Sequence, residues 1–515
     1  MQIIDIGSRR ELMLPDGVLE EVRGAAALRL HHPVPQEVAL VMDRPWERGS
    51  SHHGYMTVFQ DDRHGPGYRM YYAVRATRYA NGERIRGREY ICYAESADGR
   101  QWVRPDLGLF EFEGSTANNI VWMEDGDTRR GIHGFSPFID THPACSPEQR
   151  YKAIAALGAN GGPYPARRKG LVALVSPDGL QWSMLTPEAV ITDGAFDSQN
   201  LAFWDAVRGE YRAYWRDFYT DAAGQRYAPA GAHSDGKRFR AIKTATSADF
   251  RTWSDAEWLY FPGSVPEELY TNQVQPYFRA PQVFLGFPAR YVERPWSPAI
   301  QALPETERRR ELIDHSANPR LGTAVSDTVF MSSRDGVTFH RWGEAFVRPG
   351  LRQADNWFYG DNYVNWGLVT TASAISGAPD ELSLYVSEAS RGDVSGQPAK
   401  TFRRQTLRQD GFVSVQATRG GGQAVTRLLR FDGNRLMLNF SASAAGSLRV
   451  ELQDRHGAPL PGFALDDCVE ILGDDLDREV RWASGADLAN LIGQPITMRF
   501  ELTDADLYAF RFQKG

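Results

Sequence analysis

A short segment, Ser-x-Asp followed by three residues and an aromatic side chain, occurs four times in this chain of 515 residues. Successive copies start 80, 71 and 86 residues apart. Recurrence at such intervals is typical of folds built from repeated small sheets, and it predicts a β-propeller. The copies are Ser96–Trp102, Ser176–Trp182, Ser247–Trp253 and Ser333–Phe339.

The repeated segment has the chemistry of a tight turn. Asp hydrogen-bonds the backbone two residues further on, and the Gly that follows it in three copies tolerates positive φ. The aromatic residue then falls on the outgoing strand, where it packs against neighbouring sheets. We interpret the four Asp residues as structural, and we expect the third turn to differ because Phe250 replaces Gly there.

A second repeat runs out of phase with the first. In each unit, a strand with a polar start precedes a second strand, and these second strands are often rich in Tyr and Arg. Five such units predict a five-bladed propeller. The units are His53–Phe59 with Tyr68–Val74, His133–Ile139 with Arg150–Ala155, Asp197–Trp204 with Glu210–Trp215, Asn272–Tyr277 with Gln282–Phe287, and Asp361–Trp366 with Glu381–Val386.

The predicted fold is all-β, with three parts. Residues 1–50 form an N-terminal lead-in, 51–398 the five-bladed propeller, and 399–515 a C-terminal β-sandwich, because apolar and polar residues alternate in segments such as Ser447–Leu452 and Ile496–Leu502. The fifth unit lacks a Ser-x-Asp turn, so a strand from elsewhere, such as Glu37–Val41, is expected to close it. Glu305–Leu312 is expected to be a short helix or a loop in the fourth blade.

Composition excludes several classes of partner. The net charge is -7 with both signs interspersed, which argues against nucleic-acid binding. No apolar run approaches the roughly 20 residues that span a bilayer, and the N-terminus lacks the features of a signal peptide. The three cysteines, Cys92, Cys145 and Cys468, match neither a metal motif nor a disulfide framework. We therefore expect a cytoplasmic protein without a cofactor. A secreted chain already trimmed of its signal would look the same, and the oligomeric state and a calcium ion in the channel stay open.

The first strand of each propeller blade lines the central channel, so polar residues at the strand starts should converge on one axial pocket. A pocket of carboxylates, amides and imidazoles suits a polyhydroxylated ligand, and glycosidic cleavage generally uses two carboxyl groups. The candidate catalytic residues are Asp197, Glu268 and Asp361. The candidate substrate-binding residues are His53, His133, Gln199, Asn200, Asn272, Gln273, Trp357, Tyr359, Asn362 and Arg279.

Each candidate also has a structural interpretation. An Asp at a strand start can simply accept bonds from backbone amides, and Glu268 could be a solvated loop carboxylate. His52, His53 and His133 match no short metal motif. Trp357 and Tyr359 could stack on a sugar ring or pack between blades, and Arg279 and Arg290 could bind an anion or pair with structural acids.

Several stretches resemble the five-bladed propeller glycosidases of families 32 and 43, and more closely the uncharacterised proteins similar to family 32. The resemblance to the latter group covers most of the chain. True family 32 enzymes carry Trp-x-Asn-Asp-Pro-Asn, Arg-Asp-Pro and Glu-Cys motifs, and none of these is present, so their catalytic residues are not carried over. The matching stretches are Cys92–Gly99, Pro105–Leu109, Asn118–Val121, Phe196–Asn200, Leu269–Asn272, Asn356–Asp361 and Leu407–Val413.

The resemblance implies a hydrolase of furanosides, such as fructofuranosides or arabinofuranosides. The leading hypothesis is a glycoside hydrolase that acts in the axial pocket on a carbohydrate substrate, with Asp197 and either Glu268 or Asp361 as the acid/base pair. The alternatives are a carbohydrate-binding protein or pseudoenzyme, a glycoside phosphorylase and a sialidase. A sialidase normally has six blades and three substrate-facing arginines, whereas the sequence shows five units.

Overall fold

The protein is almost entirely β-structure in a computed structural model, which describes residues 3–48, 55–61, 67–80, 83–123, 131–157, 170–219, 239–315, 319–353, 356–390 and 399–515. The all-β class predicted from the sequence is therefore confirmed. Two short α-helices and three short 3₁₀ turns accompany the strands. The first four strands are β1 Ile4–Gly7, β2 Arg10–Leu12, β3 Leu19–Leu30 and β4 Val34–Val41.

Three four-stranded antiparallel sheets follow, and in each the strands pair in chain order. Sheet one contains β5 Met56–Asp61, β6 Gly67–Ala80, β7 Glu83–Ser96 and β8 Ile120–Met123. Sheet two contains β9 Gly131–Ile139, β10 Tyr151–Leu157, β11 Leu171–Ser176 and β12 Ser183–Met184, with a 3₁₀ turn at Pro147–Gln149. Sheet three contains β13 Leu201–Asp205, β14 Glu210–Tyr219, β15 Phe239–Ser247 and β16 Glu257–Trp258.

Sheet four is larger, with six strands. They are β17 Glu268–Leu269, β18 Gln275–Tyr277, β19 Ala280–Gly286, β20 Ala289–Val292, β21 Val325–Ser333 and β22 His340–Val347. The helix expected in this unit is present, and the segment between β20 and β21 contains α1 Pro298–Gln301, α2 Thr306–His315 and a 3₁₀ turn at Pro319–Gly322.

Sheet five is closed by the N-terminal segment, as the sequence predicts. Its own strands are β23 Val369–Thr371, β24 Glu381–Glu388 and β25 Thr401–Leu407, and β25 pairs antiparallel with β4. This pairing joins the two ends of the run of five sheets.

The C-terminal strands form a separate sheet with β2 and β3, while β1 pairs with β27. The first 48 residues are therefore divided between this unit and sheet five rather than forming a lead-in of their own. The C-terminal elements are β26 Val413–Thr426, β27 Leu429–Phe431, β28 Arg435–Gln453, β29 Asp474–Glu479, a 3₁₀ turn at Leu488–Leu491 and β30 Thr497–Gln513.

The four Ser-x-Asp turns share one hydrogen-bond pattern. In the first, Ser96 Oγ donates to Asp98 Oδ1 at 2.9 Å and accepts from Gly99 N at 2.9 Å. The expectation of a different third turn is wrong, because Phe250 adopts φ of 63° and donates its N–H to Ser247 Oγ as the glycines do. Its buried ring packs against other aromatic rings, which offsets the left-handed backbone.

The starts of sheets one, three, four and five converge. Gln199, just before β13, donates to Met56 O at 3.0 Å. Gln273, just before β18, donates to Gln199 Oε1 at 2.7 Å and to Val364 O at 3.0 Å. These amides link the sheets at the place where the sequence located the axial residues.

Candidate functional site

Asp197 lies just before β13 and presents its carboxylate to solvent. Its side chain is 56% exposed, and Oδ1 pairs with the guanidinium of Arg216 on β14. The phenol of Tyr270 donates to the Asp197 backbone carbonyl at 3.0 Å. The position of this carboxylate is therefore fixed from both the side chain and the backbone.

Glu268, the first residue of β17, is the second partly exposed carboxylate, at 23%. Its Oε2 accepts from the Arg240 backbone N–H at 3.2 Å and from the Arg240 guanidinium. Within the described residues, Oε1 of Glu268 and Oδ2 of Asp197 accept no hydrogen bond. Each carboxylate is thus held through one oxygen, and its other oxygen is available to a ligand.

The alternation of side chains along a strand explains why the two arginines lie together. Arg216 and Phe218 are two residues apart on β14, and Phe218 lies directly opposite Arg240 of β15. All three side chains therefore project from one face of sheet three. The guanidinium carbons of Arg216 and Arg240 lie 4.3 and 5.6 Å from the Phe218 ring centre.

Tyrosines from sheet four and from the segment before β23 connect these arginines with a third, Arg320. Arg216 and Arg240 lie 5.3 and 6.0 Å from the Tyr270 ring, and Arg240 lies 4.1 Å from Tyr291. Arg320 lies 5.5 Å from Tyr291 and 5.6 Å from Tyr359. We call this group the arginine–tyrosine cluster, and its members are Arg216, Arg240, Arg320, Tyr270, Tyr291 and Tyr359.

The acidities differ between two tyrosines of the cluster, Tyr270 and Tyr359, and Tyr55 beside it. Burial alone would raise the pKa of Tyr270, but the charge of Arg216 and hydrogen bonds from other tyrosines outweigh it, so this pKa is lowered. Burial raises the pKa of Tyr55 and of Tyr359 well above the ordinary value. Burial lowers the pKa of Arg216. The proton of Tyr270 is therefore the most easily removed of the three phenolic protons.

Asp361 has the environment of a structural carboxylate. It is buried, Oδ2 accepts from Phe358 N at 2.9 Å, and Oδ1 accepts from Ser390 N at 2.8 Å and Ser390 Oγ at 2.7 Å. Asn362 has φ of 63° and donates to Ser326 O and to Asn356 O. Both side chains hold the turn before β23.

The other predicted amides serve the backbone as well. Gln199 and Gln273 join the sheets as described above. Asn200 Nδ2 donates to Phe196 O at 3.1 Å and to Ser198 O at 2.9 Å, and Asn272 Nδ2 donates to Tyr214 O at 3.4 Å. All four amides are buried.

His133 lies beside the cluster and His53 lies outside the described residues. His133 Nδ1 is 2.9 Å from Glu89 Oε1 and 2.9 Å from an Arg75 nitrogen, and its ring packs edge-on against Tyr55 at 5.7 Å. Tyr55 in turn donates to the Tyr270 hydroxyl at 3.3 Å, which connects His133 to the cluster. Trp357 is half-buried.

The two candidate anion-binding arginines of sheet four are paired elsewhere. Arg279 donates to both oxygens of buried Asp410, at 2.9 and 3.2 Å, so the structure does not bring it to the cluster. Arg290 pairs with Asp327 and Glu267. Strand alternation explains why Arg290 does not face the cluster: Arg290 and Tyr291 are adjacent on β20, so their side chains project to opposite faces of the sheet.

Sequence reasoning missed Arg216, Arg240, Arg320, Tyr270 and Tyr291. The Tyr and Arg content of the second strands was the available signal for Arg216. It pointed to no particular residue because other arginines of these strands, such as Arg69 and Arg212, pack between sheets.

A cleft of about 720 Å³ opens at the ends of β5 and β9, away from their starts. Two of its lining carboxylates are already paired, Asp61 with Arg150 at 3.0 Å and Asp140 with Lys152, and the third, Glu148, belongs to the 3₁₀ turn Pro147–Gln149. Among its lining residues, the cleft therefore does not offer two available carboxylates as the cluster does. In the described residues, no group of three His, Cys, Asp or Glu side chains is placed to hold a metal ion. No helix in the same ranges is long and apolar enough to cross a membrane.

No family model matches the chain, and no curated protein matches it. Among solved structures, it is similar to an N-acetylgalactosamine deacetylase from F. plautii in complex with blood group B trisaccharide, with 13% identity, 74% of this chain and 96% of that chain covered, and a TM-score of 0.42. It is also similar to a GH32 β-fructofuranosidase of Bombyx mori, with 8% identity, 94% of each chain and a TM-score of 0.37.

A third similar structure is an endo-arabinase from Bacteroides thetaiotaomicron, with 10% identity, 72% of this chain and 98% of that chain covered, and a TM-score of 0.37. The matches thus include the family 32 fructofuranosidases that the sequence resembles. At these values, a similarity establishes neither the family nor the function.

Proposed function

We propose that the protein is a glycoside hydrolase and that Asp197 and Glu268 are its carboxylate pair. One observation carries the proposal: each carboxylate is held by an arginine through one oxygen and offers the other. Hydrolysis of a glycosidic bond needs two such groups at one site, one to protonate the leaving oxygen and one to attack or to activate water.

The two environments suggest the division of roles. Asp197 is the more exposed, and buried Arg216 favours its ionised form, so it suits the base or nucleophile. Glu268 takes the remaining role of general acid, because its Oε2 is held by Arg240 and its Oε1 is available to the leaving oxygen. Asp361 is left out, because three hydrogen bonds already occupy its oxygens.

The architecture proposed for this activity is a five-bladed β-propeller, with sheets one to five as its blades, followed by a C-terminal β-sandwich. Support comes from the order of the sheets, from closure of sheet five by β4, and from the amide links between strand starts. A preference for fructofuranosides or arabinofuranosides stays a prediction from the resemblance.

The test is hydrolysis of a panel of aryl furanosides, aryl pyranosides and fructans by the wild type and by D197N and E268Q. Loss of a general acid or base typically costs about 10²–10⁴-fold in rate, so we expect losses of that size in kcat for both variants. The matched control is D193N. Asp193 is also an exposed carboxylate paired with a cation, Lys243, at 2.9 Å, and its loss should leave kcat unchanged.

Two results would contradict the proposal. If D197N and E268Q retain the wild-type kcat, the carboxylate pair is wrongly assigned. If the wild type binds sugars but hydrolyses none of the panel, the protein is a carbohydrate-binding protein. Addition of phosphate to each assay identifies a phosphorylase, since turnover would then depend on it.

A further inference from the structure

The arginine–tyrosine cluster contains more positive charge than its carboxylates neutralise. Asp197 pairs with Arg216 and Glu268 pairs with Arg240, whereas Arg320 lies 5.5 Å from the Tyr291 ring and 5.6 Å from the Tyr359 ring. Exposed Glu293 accepts from the Tyr291 hydroxyl at 2.9 Å. Within the described residues, Arg320 therefore forms no ion pair with a carboxylate.

Within the described residues, several guanidinium nitrogens of the cluster also lack hydrogen-bond acceptors. The side chain of Arg216 is 1% exposed, yet its Nε and Nη1 donate to no acceptor in that part of the chain. The same holds for Nε of Arg240 and Nη1 of Arg320. Buried polar groups are almost always hydrogen-bonded, so a buried guanidinium with open donors points to an acceptor that binds there.

The open donors lie beside the proposed reacting groups. Asp197 contacts Arg216, and the Tyr270 ring lies between Arg216 and Arg240. An acceptor bound by Arg216 would therefore lie beside a substrate at Asp197. From there the Tyr359 ring, 5.4 Å from the Tyr270 ring and 5.6 Å from the Arg320 guanidinium, connects the site to Arg320. Guanidinium groups recognise carboxylate and phosphate through paired N–H donors.

We propose that the cluster is an oxyanion subsite and that the substrate is an acidic glycoside, whose sugar carboxylate binds to Arg320 and Arg216. This substrate class rests on the proposed hydrolase function, but the subsite does not. The same donors would also accept a free phosphate ion, so the experiment distinguishes these two sources of the oxyanion.

The experiment is isothermal titration with glucuronate, galacturonate and N-acetylneuraminate, with the neutral sugars glucose and galactose, and with sodium phosphate. A hydrogen bond to a charged group contributes about 1.5–3 kcal/mol, or roughly 10- to 100-fold in affinity. We expect at least one sugar acid to bind about tenfold or more tightly than the neutral sugars.

Arg320→Met should remove that difference, and Arg320→Lys, which keeps the charge but not the planar fork, should retain part of it. Arg320 is the residue to vary because it is only partly buried, so its loss threatens folding less than the loss of Arg216. The matched control is Arg208→Met. Arg208 pairs with Asp205 at 2.7 Å and lies 4.3 Å from the Phe284 ring, away from the cluster, and this variant should bind like the wild type.

The inference is overturned if no sugar acid binds better than the neutral sugars, or if Arg320→Met binds acids as the wild type does. Binding of phosphate alone, lost in Arg320→Met, supports the oxyanion subsite but overturns the acidic glycoside. Since titration needs no turnover, failure of the hydrolase proposal is distinguishable: an inactive protein that binds acids through Arg320 would retain the subsite.

Discussion

Phe250 offers a direct test of how the Ser-x-Asp turns are built, because two opposing effects meet at one residue. Its φ of 63° is costly for a residue with a Cβ, by roughly 1–2 kcal/mol. Its ring is fully buried and lies 5.6 Å from Phe138, 5.1 Å from Tyr211 and 5.7 Å from Trp253. Removal of a buried Phe ring costs about 3–5 kcal/mol.

Phe250→Gly should therefore lower the free energy of unfolding by about 1–4 kcal/mol, since loss of the ring exceeds relief of the backbone. Phe250→Ala loses the same ring but keeps the left-handed penalty. We expect the Gly variant to be more stable than the Ala variant by about 1 kcal/mol, the reverse of the usual order in a strand or helix.

Ile154, on the second strand of sheet two, belongs to the same buried cluster as Phe250. In the glycine turns, a tyrosine of the preceding sheet donates to the glycine carbonyl: Tyr71 to Gly179 O at 3.0 Å and Tyr214 to Gly336 O at 2.9 Å. Each of these tyrosines lies three residues after the residue that pairs with the Ser of its own sheet's turn, since Tyr68 pairs with Ser96 and Tyr211 pairs with Ser247. In sheet two, Tyr151 pairs with Ser176, so Ile154 occupies the equivalent position. Thus Ile154 stands where sheets one and three have a tyrosine, and Phe250 stands where the other turns have a glycine.

Ile154→Tyr should be destabilising alone, by about 1–3 kcal/mol, because the ring would overpack against Phe250. In the double variant with Phe250→Gly, the tyrosine fills the vacated space and reaches the carbonyl. We expect the double variant to be more stable than the sum of the single effects by about 1–3 kcal/mol. Urea unfolding followed by tryptophan fluorescence measures each midpoint. Additive effects within 0.5 kcal/mol, about the limit for uncoupled sites, or equal stability of the Gly variant and the wild type, would refute this explanation.

Three further predictions concern single residues. Gly367→Ala should destabilise by more than about 2 kcal/mol, measured by thermal unfolding, because φ is 114° and a Cβ would overlap the Val58 carbonyl. Asp361→Asn should lower the melting temperature by more than Asp197→Asn does, because Asp361 is buried and accepts three hydrogen bonds within its turn, whereas the Asp197 side chain is 56% exposed. Burial would raise the pKa of Asp335, but backbone N–H bonds outweigh it and lower the pKa. The contribution of the Asp335 carboxylate to stability is therefore present above about pH 4 and is lost as the pH falls through the lower native pKa. In Asp335→Asn, this contribution should be absent from the pH dependence of the melting temperature.

The turn chemistry and the closing strand of the fold were predictable from the sequence. Ser and Asp at fixed spacing determine local hydrogen bonds, and these are the same in all four turns. The geometry of the third turn was not predictable in this way, because the Phe250 ring packs against residues distant in the chain, among them Phe138 of sheet two. Local propensity favours Gly at that position, and this contact between two sheets overrides it.

Asp197 and Glu268 were proposed from their position in the repeat, whereas no sequence signal indicated the arginine–tyrosine cluster beside which the structure places them. Its arginines come from the second and third strands of sheet three and from a 3₁₀ turn, and its tyrosines from sheet four and the segment before β23. The packing of these separate segments brings the members together. The amides Gln199 and Gln273 were expected to face a ligand. They satisfy backbone groups instead, because strand starts that converge leave carbonyls that no neighbouring strand can pair.

Position in the repeat therefore does not distinguish a carboxylate proposed to react from a structural one. The number of hydrogen bonds that each carboxylate accepts does distinguish them. Asp197 and Asp361 both stand at the polar start of a unit. Asp361 accepts three bonds from the turn that it closes, so a substrate could reach it only by breaking that turn. Asp197 pairs with one arginine and keeps an oxygen open. Removal of the first should cost stability, and removal of the second should cost activity, although a sequence repeat presents them as equivalent.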